Sequence, residues 1–112
     1  MAQYDRFRKR YYMDGLGKPL PLAKELRWGW LPYNSNSAGI THFDEDDEPD
    51  LIELNEGLSD WTSLLKLTLL HEMSHIRLGV DVPCPSVTRN RRILPAWKEE
   101  TIRLAGLGAP LL

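Results

Sequence analysis

Apolar positions near the start of the chain fall at helical spacing. Tyr4, Phe7 and Tyr11, with Tyr12 beside them, lie on one side, while Arg6, Arg8, Lys9 and Arg10 take the other faces. The pattern predicts an amphipathic helix ending near Asp14-Gly15-Leu16-Gly17. Pro19 and Pro21 then mark an extended or turning connection. Three short strand-like runs follow: Lys24 to Leu31, with Trp28 and Trp30 pointing to one face; Ala38 to Phe43; and Leu51 to Leu54, closing at Asn55. Asp44 to Asp50 between the last two is a solvated acidic loop without the spacing of a calcium loop. The run from Trp61 to Leu70 contains no Gly or Pro, Ser59 or Asp60 precedes it as an N-cap, and Gly79 stands where a helix would stop. That predicts a mostly apolar helix of roughly five turns. Beyond Pro83 and Pro85, a basic turn at Arg89-Asn90-Arg91-Arg92 leads into a last helix from about Pro95 to Ala105. Pro95 suits its first turn, and Gly106 or Gly108 its end. Helix, small sheet, helix, helix is an α+β order.

A chain of 112 residues has room for one hydrophobic core, so residues 1–112 are expected to form a single domain. Apolar residues at 42% and charged residues at 27% suit a water-exposed globular surface over that core. The net charge of −2 argues against bulk attraction to nucleic acid or membrane. The N-terminal residues do not read as a signal peptide, and no apolar run approaches membrane-spanning length. One cysteine, Cys84, rules out an internal disulfide and fits a reducing compartment. The cytoplasm is the expected location.

The chemistry concentrates in Leu69-Leu70-His71-Glu72-Met73-Ser74-His75, which contains H-E-x-x-H. Histidines four apart sit one above the other on a helix face, so both imidazoles can reach one metal ion. The glutamate between them is placed to activate a water on that metal. By chance the motif would occur in on the order of one in a few hundred chains of this length. A carboxylate beside two histidines on a Leu-rich helix must be paired, solvated or bound to something. One zinc ion per chain, held by His71 and His75 with Glu72 as the catalytic base, is the reading the motif favours.

Thr68 to His75 resembles the active-site helix of SprT-like zinc metallopeptidases and the related mini-gluzincins. Ala38-Gly39-Ile40-Thr41 and Ile52-Glu53-Leu54-Asn55 resemble the two strands before it, and Pro95 to Ala105 resembles the closing helix. Coverage runs from about Tyr4 to Gly108, with H-E-x-x-H as the specific element. The resemblance implies a minimal zincin, a twisted sheet packed on the zinc-bearing helix with the cleft between. In SprT-like proteins a histidine in an H-G-x-x-F/W stretch supplies the third ligand. Aligned on Trp97, those positions are Ile93 and Leu94, so that histidine is absent. Gluzincins take a glutamate from a downstream helix instead. Position 100 lies almost two turns beyond 93, on the face of Trp97, Thr101 and Leu104, whereas Glu99 falls toward Arg103. Glu100 is therefore the expected third ligand, followed by Glu99, His42 and Asp81.

The activity these features imply is peptide-bond hydrolysis by an endopeptidase, with a peptide or protein substrate laid along the cleft-facing edge of the sheet. A second oxyanion donor is expected, with His42, Tyr33 and Arg77 as candidates. His42 is more simply a satisfied surface histidine, and Cys84 a loop residue outside any zincin pattern. Two other functions compete. A DNA-associated SprT-like protein would use Arg6 to Arg10 and Arg89 to Arg92 and bind in a salt-sensitive way, although solvated faces explain these residues more simply. A proteolytically silent protein would hold zinc structurally or have its cleft self-blocked, with the apolar tail Gly106 to Leu112 in the cleft or in an oligomer interface.

Overall fold

The computed structural model describes residues 2–15, 17–82 and 95–110. Helix α1 spans Ala2–Tyr11 and buries Tyr4, Phe7 and Tyr11, the residues its periodicity selects. It stops before the expected Asp14, because the chain turns there to bring the Asp14 carboxylate to Arg77 on a later helix. Tyr12 is buried past the helix end, its hydroxyl 3.0 Å from Ser74 Oγ and 3.3 Å from the Leu70 carbonyl. The Tyr4 hydroxyl donates to the Pro21 carbonyl at 2.7 Å, and its ring meets Trp28 edge-on at 5.3 Å. These contacts fix α1 across the sheet and the central helix.

Strand β1 covers Arg27–Leu31, shorter than the pattern suggests because Ala23–Glu25 form a 3₁₀ turn closed by the Leu26 amide on the Ala23 carbonyl. Strand β2 is Gly39–Phe43 and β3 is Pro49–Asn55. The sheet is mixed and ordered β1-β3-β2, with β1 parallel and β2 antiparallel to β3. Parallel pairing of β1 with β3 places β2 on the far edge. In this register Trp28, Ile52 and Thr41 lie side by side on one face, and Ile40 and Glu53 pair on the other. Trp28 and Trp30 share a face as expected. Trp28 packs into the core, whereas Trp30 at the strand end is half exposed.

Helix α2, Thr62–Leu78, packs on the face that carries Ile52 and Leu54. Ser59 and Asp60 do not cap it. Ser59 closes a 3₁₀ turn at Glu56–Leu58, and Trp61 takes the N-cap position without a side-chain capping hydrogen bond. Gly79 ends it at φ 99°, a backbone angle glycine adopts without steric cost. Helix α3, Pro95–Gly106, buries Trp97, Glu100 and Leu104, an i, i+3, i+7 seam. Among the described residues the fold is α+β, with three α-helices and one small mixed sheet. None of these helices is long and apolar enough to cross a membrane. The expectations placed on Pro83, Cys84, Pro85, the Arg89 to Arg92 turn, Ile93 and Leu94 fall outside the described residues.

Candidate metal centre

On α2 the i, i+4 spacing brings His71 and His75 together, their ring centroids 5.0 Å apart. One side-chain donor atom each from His71, Glu72 and His75 lies within 4.8 Å of the others. Glu72 is only 3% exposed and faces strand β2, where the Thr41 hydroxyl donates to its Oε1 at 2.8 Å. Trp97 of α3 covers the two imidazoles. Its indole stacks on His71 at 4.9 Å and 26° and meets His75 edge-on at 4.9 Å.

Burial sets the protonation of this cluster. It lowers the pKa of His71, and it lowers that of His75 to about 4, with the neighbouring His71 adding to the effect. It also raises Glu72 to about 7, against the opposing pull of the Thr41 hydrogen bond. Both imidazoles are therefore neutral at physiological pH and keep a lone pair for a cation. The glutamate is costly to ionise until positive charge arrives beside it. Two neutral imidazoles and a buried carboxyl at this separation form a donor set that fits a divalent metal ion.

The expected third ligand is placed elsewhere. Glu100 is 4% exposed, but Arg77 Nε holds its Oε2 at 2.7 Å and the Arg103 guanidinium holds its Oε1. Arg77 also forms a bidentate pair with Asp14 at 2.8 and 3.0 Å, and Arg103 donates to the Tyr11 carbonyl. Helical periodicity correctly turns position 100 inward. The register of α3, however, presents Trp97 to the histidines, and Glu100 one turn later meets the last turn of α2, where Arg77 stands. A buried carboxylate needs compensating charge, and two guanidiniums supply it. The i, i+3 pair with Glu100 also takes Arg103 from its expected partner Glu99, which is exposed.

The other candidates do not join the cluster. Asp81 is exposed on the turn after Gly79. His42 lies on the opposite sheet face from Thr41, its Nε2 2.6 Å from Glu53 Oε1. Of the suggested oxyanion donors, Arg77 is committed to Asp14 and Glu100, His42 to Glu53, and Tyr33 is largely exposed. Two contacts were not anticipated from the sequence. From the sequence Thr41 is only a strand residue, although strand alternation puts it and His42 on opposite faces. Trp97 served as an alignment point, and nothing in its spacing from His75 announced that it would lie over the histidines. Its Nε1 is buried with no hydrogen-bond acceptor among the described residues.

Comparison of the chain with family models, with curated proteins and with solved structures found no match in any of the three.

Proposed function

We propose that this protein is a zinc-dependent peptidase of minimal zincin design, with His71 and His75 as metal ligands and Glu72 as general base. The observation that carries the reading is the convergence of two neutral imidazoles and a buried carboxyl, on successive turns of one helix, into a single cation-sized cluster. The resemblance to SprT-like peptidases and mini-gluzincins supports it, as does an edge strand running antiparallel to its neighbour beside the motif helix.

When bound, zinc would supply Lewis acidity, polarising a carbonyl and bringing the pKa of a water toward neutrality. The remaining steps belong to the chain. Glu72 accepts a proton from the attacking water and returns it to the leaving amine. Strand β2 pairs with β3 on one side, and among the described residues no strand pairs with its other side, which leaves an edge for an extended peptide. Trp97 packs both imidazoles in one orientation.

Trp97 also favours a second reading, a metal-binding domain without peptidase activity. An indole buried against both rings narrows access to them, and Glu100 is engaged by arginines. One experiment separates the two. Zinc content is measured by elemental analysis in the wild type, His71→Ala, His75→Ala and Glu72→Ala, with casein-type cleavage assayed in parallel. The peptidase reading expects close to one zinc per chain, loss of zinc with either histidine, and loss of cleavage but not zinc with Glu72→Ala. Zinc uptake without cleavage selects the silent domain. Undiminished zinc in His71→Ala overturns both.

A further inference from the structure

Glu72 is gripped by strand β2 at two alternate positions, although nothing in H-E-x-x-H requires a partner for its glutamate. Thr41 donates its hydroxyl to Glu72 Oε1 at 2.8 Å and lies 3.1 Å from the Glu72 carbonyl oxygen, the normal acceptor of a later turn of α2. Two residues earlier on the same face, Gly39 has no side chain where one would collide. A methyl group there would stand 3.0 Å from Glu72 Oε2, 3.1 Å from Glu72 Cγ and 2.9 Å from Thr68 Cγ2. The contact with Thr68 forces a shift, and at 3.0 and 3.1 Å the Glu72 side chain would have to give by a few tenths of an ångström. Gly39 lies at an ordinary strand position, so its role here is space and not backbone freedom.

We propose that β2 forms a seat for the Glu72 carboxylate, in which Thr41 fixes Oε1, Gly39 clears the space for Oε2, and Oε2 is left as the proton-transfer oxygen. Thr41 and Gly39 are thus positioning residues. In this role they act on the reaction through Glu72. The physical logic is rotamer control. A glutamate side chain has three rotatable bonds, and proton transfer needs its oxygen within hydrogen-bond reach of the water in each encounter. Oε1 has a donor in Thr41, while Oε2 accepts from no described residue, which divides the two oxygens between holding and chemistry. The seat also joins the motif helix to the free sheet edge, so the strand proposed to receive a peptide is the strand that aims the base.

The catalytic half of this proposal rests on the peptidase reading, whereas the seat does not, and the test separates them. Infrared difference spectra are recorded on the metal-free full chain above pH 7, with Glu72→Gln identifying the Glu72 carboxylate band. Thr41→Val should shift that band, and Thr41→Ser, which keeps the hydroxyl, should restore it. An unshifted band in Thr41→Val overturns the seat. In the zinc-loaded protein, Thr41→Val should lower kcat by up to roughly 10²-fold, the scale of loss for a misplaced catalytic group, with KM and zinc content unchanged and with recovery in Thr41→Ser. A band shift with unchanged kcat overturns the positioning role. Gly39→Ala should lower kcat in the same way. If that variant fails to fold, the Thr41 pair decides alone. If the chain takes up no zinc, the peptidase reading falls and the infrared comparison still decides the seat.

Discussion

Burial of Glu72 makes a prediction that needs no substrate. In the metal-free protein its pKa rises from 4.5 to about 7, mainly by desolvation. A carboxyl whose folded pKa is raised stabilises the fold when protonated. That contribution is complete below 4.5 and is lost as pH rises through about 7. At about 1.4 kcal/mol per pH unit the loss amounts to roughly 3 kcal/mol. The Glu72→Gln variant keeps an oxygen for Thr41 to donate to but cannot ionise. Its stability relative to wild type should therefore improve by roughly 3 kcal/mol between about pH 4 and about pH 8, on the order of 10 °C in Tm for a domain of this size. His71 and His75 have lowered pKa values, so their contribution runs the other way, present above their ordinary value and lost as pH falls. They titrate in both proteins, and taking the difference largely removes them. The assay is chemical unfolding of both metal-free chains across this range. Saturating zinc should flatten the difference, because a cation beside Glu72 favours its charged form. A wild-type-minus-variant difference that stays constant within about 1 kcal/mol would refute the claim that Glu72 is buried at a cost.

Other expectations follow from single contacts. Glu100→Ala should leave zinc binding intact but cost about 1–3 kcal/mol in urea unfolding, because Arg77 Nε and the Arg103 guanidinium lose their shared acceptor while Asp14 still pairs with Arg77; zinc loss at unchanged stability would restore Glu100 as a ligand. Trp97→Phe keeps an aromatic ring near both imidazoles and deletes an N–H that has no acceptor among the described residues, so stability should change by less than about 2 kcal/mol, whereas Trp97→Ala should cost about 3–5 kcal/mol; a large loss in Trp97→Phe would show that the N–H has an acceptor. Tyr12→Phe should lower stability by about 1 kcal/mol through its lost bond to Ser74, and thermal unfolding would reveal any larger role.

Local chemistry along the chain was enough to determine the α+β order of elements, the inward residues of α1, three of the four residues expected to face inward on α3, and the pairing of His71 with His75; Thr101, expected on that face, is exposed. Each depends on helical or strand periodicity, which acts over a few residues and needs no knowledge of what packs opposite. Periodicity even placed Glu100 inside. It could not say what Glu100 would meet there, because that depends on how α3 docks against α2, and docking brings residues 77, 100 and 103 together with residue 14 from the far end of the chain. The same limit hid Thr41. Its hydrogen bond spans 31 positions and exists only because parallel pairing of β1 with β3 leaves β2 on the edge, next to the motif helix. The sequence by itself determined that His71 and His75 share a helix face with Glu72 between them. The tertiary structure decided that burial makes both histidines neutral, that arginines claim Glu100, and that an indole and a threonine enclose the histidines and the glutamate.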